Sequence, residues 1–375
     1  MTKLTFPALV ILSNFVIGPA IEPAVAAPDV GRLEHRFDTE AAAHPVGGMT
    51  VGLVADGKLA WTKSYGFADA EGHVAANADT VYRIGSVTKQ FTSIMLLQLA
   101  AAGKVKAGDA AQKYLPEIAL IRGNAPPITL EQLAEHRAGL SREPDQNNFV
   151  VGSITAWRET MVAALPHTAY QFTPGTRVSY SNIGVAALGG ALAVAAGEPY
   201  VDYVQRRIVT PLGMTHTSFT PDAALLAHLA KGYRPSGPKD KQVGDPTAAR
   251  KELEQGRGYK IPNGGLFSTV GDLALFLNFE MGHGPRGVLA PETLSENFKT
   301  AYAMEDEPGW SYGRGFYKTV VNGQTILGHW GSVSGYAAAA YFDPDAQVGI
   351  VILRNSDPRV ANEVIVEALQ IAAGK

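Results

Sequence analysis

The chain has 375 residues, 46% of them hydrophobic and 18% charged, with a formal net charge of −3. That composition supplies a large apolar core and excludes an intrinsically disordered polymer; with no Lys- or Arg-rich run interleaved with aromatics, a nucleic acid or an anionic membrane has no electrostatic footprint. Cysteine is absent, which excludes disulfides, thiolate metal sites and a cysteine nucleophile.

At the N-terminus, Lys3 precedes an apolar stretch from Leu4 to Ile21 and then Ala24-Val25-Ala26. This pattern predicts a secretory leader over residues 1–26, cleaved near Ala26–Ala27, and so an exported protein, periplasmic or secreted. Pro7, Asn14 and Pro19 interrupt the stretch, so a stable spanning helix is not expected there; no other segment is long and apolar enough to span a bilayer, so no stable membrane insertion is expected after cleavage. Residues 31–43 read as a short helix. Met49–Ala55 and Lys58–Phe67 read as strands joined by Asp56-Gly57, a strong hairpin signal. Gln90–Ala102 is helical and apolar on nearly all sides, which places it in the middle of the molecule; Gly103 ends it. Residues 104–230 carry mainly helical patterns punctuated by Pro and Gly. Residues 231–258 are polar and rich in breakers, predicting a long loop. The pattern then turns to β, with runs at 312–321, 324–330, 335–342 and 347–354, before an amphipathic helix over about 358–373.

Strands at both ends with helices between predict an α/β protein of the α+β type. One antiparallel sheet, built from both chain ends (about 30–105 and 259–375), is flanked by helices, and a mostly helical subdomain (about 106–258) is inserted. A cleft is expected where the two meet.

Three short strings carry chemistry. In Ser86-Val87-Thr88-Lys89, two residues three apart at a helix start share a face, so Lys89 reaches the Ser86 hydroxyl. The positive end of the helix favours a developing oxyanion, and apolar neighbours such as Ile84 and Phe91 should depress the Lys89 pKa. In Tyr180-Ser181-Asn182, an extended approach points the phenol and the amide to one side. The phenol can ionise or relay a proton beside a cation, and the amide can orient a lysine or a substrate carbonyl. In Gly328-His329-Trp330-Gly331-Ser332, a strand edge with glycine admits a substrate backbone, and the Ser332 N–H is placed to complete an oxyanion hole with that of Ser86. Gly309-Trp310-Ser311-Tyr312-Gly313 fits a nucleophile-elbow string, but the β run after Ser311 is the wrong context for it. No metal-ligand spacing or phosphate loop is present, so no cofactor or metal is expected.

The order Ser-x-x-Lys, Tyr-Ser-Asn, His-x-Gly resembles the class C β-lactamases and penicillin-binding proteins, with their esterase and D-amino-acid peptidase relatives. Lys113-Tyr114-Leu115-Pro116, His136-Arg137-Ala138-Gly139-Leu140, Pro211-Leu212-Gly213-Met214 and Gly264-Gly265-Leu266-Phe267-Ser268-Thr269 agree with it, and the likeness covers roughly residues 30 to 373. The resemblance implies a serine hydrolase in which Ser86 is acylated, Lys89 and Tyr180 act together as the base, and Asn182 contacts Lys89 and a small-molecule or peptide substrate. His329, Trp330, Gly331 and Ser332 would line the site from the sheet. The third string departs from the usual Lys-Thr-Gly: His329 and Trp330 stand where a cation and a hydroxyl receive a substrate carboxylate. A carboxylesterase-like activity is therefore expected ahead of a β-lactamase or D-peptidase, and a non-catalytic penicillin-binding sensor is the rival of another class. The oligomeric state is left open.

Overall fold

Asp56 and Gly57 both adopt positive φ (52° and 71°), as a two-residue hairpin turn demands, and they fold β1 (Gly48–Ala55) onto β2 (Lys58–Asp69). In this computed structural model, residues 28–233, 235–236, 243–244, 255–356 and 359–375 are described. The predicted leader and much of the predicted 231–258 loop lie outside the described residues. The later strands are β3 (Val74–Ala75), β4 (Tyr302–Ala303), β5 (Trp310–Tyr312), β6 (Tyr317–Val321), β7 (Gln324–Val333), β8 (Tyr336–Asp343) and β9 (Val348–Arg354). Together they make one antiparallel sheet in the order β3-β2-β1-β9-β8-β7-β6-β5-β4. Both ends of the described chain thus meet in its centre: Met49 pairs with Arg354 and Leu53 with Ile350.

Every residue of β1, β8 and β9 is buried, because both faces of the sheet are covered. Alternate residues such as Val51, Leu53, Ile350 and Ile352 pack with α1 (Val30–Ala43) and the last helix, α6 (Asn362–Ala372). Their neighbours Val54, Val351 and Leu353 join the core under α5 (Val270–Asn278) and α2 (Thr88–Ala101). The greasy segment is therefore central, as its composition predicts; the helix begins at Thr88, after a 3₁₀ turn over Gly85–Val87.

Three sequence expectations change. The 312–321 run is two strands, broken over residues 313–316, where Gly315 takes φ +81° against α2; a Cβ there would lie 2.3 Å from Ser93 Oγ. The last helix starts at Asn362 rather than 358. The middle third is helical mainly in α3 (Trp157–Ala164) and α4 (Asn182–Ala196), with short helical turns and irregular chain between them.

Candidate active site

Ser86 sits half-buried in the 3₁₀ turn, and Lys89 lies one turn on, 1% exposed. The Lys89 ammonium nitrogen is 2.9 Å from Ser86 Oγ, 2.8 Å from Asn182 Oδ1 and 2.9 Å from the Asn263 carbonyl oxygen. Two of these three neighbours are carbonyl oxygens that only accept; the serine hydroxyl alone can also donate. A neutral amine satisfies all three, with two N–H groups on the carbonyls and its lone pair toward the Ser86 O–H. Burial pushes the Lys89 pKa well below its usual value, reinforced by Arg142, Lys260 and Arg257 and opposed by Glu143. Desolvation exceeds the attraction of Glu143, so burial moves the amine toward its neutral, base-competent form.

Asn182 is delivered by the start of α4. Ser181 caps the helix, its hydroxyl accepting from the Gly184 N–H at 3.1 Å. The Asn182 amide nitrogen donates to Glu143 Oε1 at 2.6 Å, which turns its oxygen toward Lys89. Glu143 also accepts from the Tyr259 hydroxyl and pairs with Lys260 at 3.3 Å. Asn263 is carried in by close packing: a Cβ at Gly189 of α4 would lie 2.5 Å from Pro262, so the small residue lets the 261–264 turn approach. Asn263 Nδ2 then donates to the Asn182 carbonyl at 2.8 Å.

The Tyr180 ring lies 4.7 Å from Lys89 Nζ and 4.8 Å from the Arg142 guanidinium. Its hydroxyl is buried with no hydrogen-bond partner among the described residues. Burial raises the phenol pKa well above its ordinary value, and the Ser86 side chain and Arg142 pull only weakly the other way. The ionised phenol considered from the sequence is therefore disfavoured, and Tyr180 stands as a neutral donor.

On the sheet side, β7 runs directly past the serine turn. A Cβ at Gly331 would meet the Ile84 carbonyl oxygen at 2.0 Å and the Ser86 amide nitrogen at 2.9 Å, and a Cβ at Gly85 would lie 3.0 Å from the Ser332 amide nitrogen. Gly331 and Ser332 are thus brought against Ser86. His329 corrects the expectation of a substrate-facing imidazole: it is 0% exposed, with Nε2 2.9 Å from the Tyr312 hydroxyl and Nδ1 on the Trp330 carbonyl. Burial lowers its pKa to about 3, so it is neutral. Trp330 is half-buried beside Tyr317, with the Arg359 guanidinium 4.5 Å above its ring. Ser311 lies within β5, paired with Lys318, remote in role from any helix start. Sequence reasoning missed Glu143, Tyr259, Lys260 and Asn263, for which no short-range pattern exists; His136 and Gly264 lay in strings already singled out.

The family profile described as Beta-lactamase matches residues 33–374. The D-alanyl-D-alanine-carboxypeptidase/endopeptidase AmpH of Escherichia coli (strain K12) is 32% identical over 259 residues, covering 68% of this chain and 62% of that protein. The chain thus spans less than two thirds of the length of that curated relative. Among solved structures, the octameric penicillin-binding protein homologue from Pyrococcus abyssi superposes with a TM-score of 0.76 at 26% identity, over 92% of this chain and 78% of that one. D-alanine carboxypeptidase AmpC from Burkholderia cenocepacia gives a TM-score of 0.74 at 23% identity, over 92% and 98%, a likeness of fold. With the profile spanning nearly the whole described chain, this protein belongs to the β-lactamase family.

Proposed function

We infer that the chain hydrolyses acyl substrates through a covalent acyl–Ser86 intermediate, and that a short-chain carboxylic ester is its preferred substrate class. The observation that carries the chemistry is the Lys89 nitrogen, held by two acceptor-only carbonyls with its third contact on Ser86 Oγ. In the acylation step Ser86 Oγ bonds to the substrate carbonyl carbon and its proton passes to Lys89 Nζ. Collapse of the tetrahedral adduct breaks the bond to the leaving group, which takes a proton by way of the neutral Tyr180 hydroxyl. Water then attacks the acyl ester and the same groups run in reverse. The Ser86 and Ser332 amides, drawn together by the side-chain-free contact at Gly331, support an oxyanion hole. The ester preference rests on the sheet side, where His329 is buried and neutral and Trp330 packs on Tyr317, so β7 offers neither cation nor hydroxyl at those two positions.

A second reading, a peptide with a C-terminal carboxylate, is favoured by one observation: Arg142 lies exposed over Tyr180 with no ion pair among the described residues. AmpH, a carboxypeptidase by name, agrees with it. The apolar N-terminal stretch supports export of the chain. Intact-mass spectrometry after a fluorophosphonate should show one adduct on the peptide containing Ser86. Comparison of kcat/KM for p-nitrophenyl butyrate, a chromogenic cephalosporin and a D-alanyl-D-alanine peptide should then rank the ester first. An adduct on Ser311 refutes the assignment of the nucleophile, a faster peptide or cephalosporin refutes the ester preference, and a stalled adduct with every substrate makes the protein a sensor.

A further inference from the structure

The Tyr180 hydroxyl has no hydrogen-bond partner of ordinary geometry among the described residues, and only the Ser86 side chain acts weakly at its reactive end, so little there fixes the ring. Its orientation must come from what grips the backbone and the ring faces, and one residue does both. The His136 carbonyl accepts from the Ser179 N–H at 2.8 Å, and His136 Nδ1 accepts from the Ser181 N–H at 3.1 Å. These are the two amides that flank Tyr180. Between them the imidazole lies on the tyrosine ring, centroids 4.1 Å apart, with Tyr312 4.5 Å from the imidazole.

We propose that His136 is a positioning residue for the Tyr180 phenol, setting the angle from which it gives its proton to the leaving group. The proposal rests on the reading of Tyr180 as that proton carrier. Accepting from a backbone N–H requires a bare Nδ1, so the proton resides on Nε2 and the ring is neutral. Burial, with Lys89 and His329 nearby, pushes the imidazole pKa down in the same direction. His136 also holds φ +56°, a left-handed conformation uncommon outside glycine that His, Asn and Asp adopt more readily than other residues. Because Ser181 caps α4, the same imidazole also steadies the helix start that delivers Asn182 to Lys89.

The test uses two butyrate esters that differ in leaving group. p-Nitrophenolate departs without a proton, whereas ethoxide needs one, so lost proton delivery slows ethyl butyrate far more than p-nitrophenyl butyrate. His136→Phe keeps an aromatic ring and removes the Nδ1 acceptor. His136→Asn keeps an acceptor and tolerates the positive φ, so it preserves the fold even where the Phe variant does not. Tyr180→Phe is measured beside them. The expected result is a kcat for His136→Phe that falls at least tenfold further on ethyl than on p-nitrophenyl butyrate. KM should stay within twofold, and His136→Asn should recover most of the loss. If Tyr180→Phe leaves the ratio of the two esters unchanged, the proton-carrier reading falls. If Tyr180→Phe shifts that ratio while His136→Phe, or an Asn variant standing in for an unfolded Phe variant, slows both esters equally, the positioning proposal alone is overturned.

Discussion

Gly331→Ala probes how tightly β7 is fitted to the serine turn. The added methyl would start 2.0 Å from the Ile84 carbonyl oxygen and 2.9 Å from the Ser86 amide nitrogen, both backbone atoms that no side-chain rotation can clear. An ordinary carbon–oxygen approach is about 3.3 Å, so the turn and the strand must separate by roughly 1.3 Å. Overpacking of this kind costs about 1–3 kcal/mol, a drop of a few degrees in Tm for a chain of this size. The effect on rate should be larger than the effect on stability, since a misplacement of about 1 Å at a reacting group can cost ~10²-fold. Gly66→Ala is the control: its methyl would lie 2.3 Å from the Gly47 carbonyl oxygen, a comparable clash on β2. Both variants should lose Tm, and only Gly331→Ala should lose about a hundredfold in kcat/KM for p-nitrophenyl butyrate per folded molecule. A Gly331→Ala enzyme with wild-type kcat/KM and Tm would refute the fit, and equal rate losses in both variants would reduce it to general strain.

Further outcomes follow from the buried polar groups. Lys89→Ala and Tyr180→Phe should each lower kcat by about 10²-fold or more, and the double variant should lose little beyond the worse single; full additivity in that cycle would assign them separate roles. Because the Lys89 amine is active when unprotonated and its pKa lies below the usual 10.5, kcat/KM should rise with pH through one ionisation beneath that value; a rise only near 10.5 would contradict the burial argument. Glu280 is buried against Gln90, at 2.8 and 3.0 Å, and desolvation raises its pKa from 4.5 to about 8. The folded state therefore holds a proton that the unfolded chain releases. This contribution to stability is full below about 4.5 and is lost as pH rises through about 8. Thermal melts of Glu280→Gln should lack that decline, and an unchanged slope would refute the assignment.

The local features were legible because their causes are local. Asp56-Gly57 takes the positive φ values that a two-residue hairpin requires. Ser86 and Lys89 meet because one helical turn joins them. Asn263 and Glu143 were not legible: they reach the site through the contact between Gly189 and Pro262 and through the 141–143 loop, which no periodicity encodes. His329 shows the limit of strand alternation. Alternation assigns a face, but the rings of Tyr180, Tyr312 and Tyr317 decide whether that face is open, and here they close over it.

The pairing of β1 with β9 has a consequence for synthesis. Met49 waits for Arg354 and Leu53 for Ile350, so the sheet cannot close until the segment through Arg354 has been made. The serine turn rests on Gly331 of β7, and Lys89 awaits the Asn263 carbonyl, so a nascent chain carries the reactive hydroxyl long before it carries the means to activate it. Ladders between such distant segments also form slowly, since loop closure precedes any gain from contact. The candidate site is thereby incomplete on the ribosome, assembled in the same closing step that completes the core.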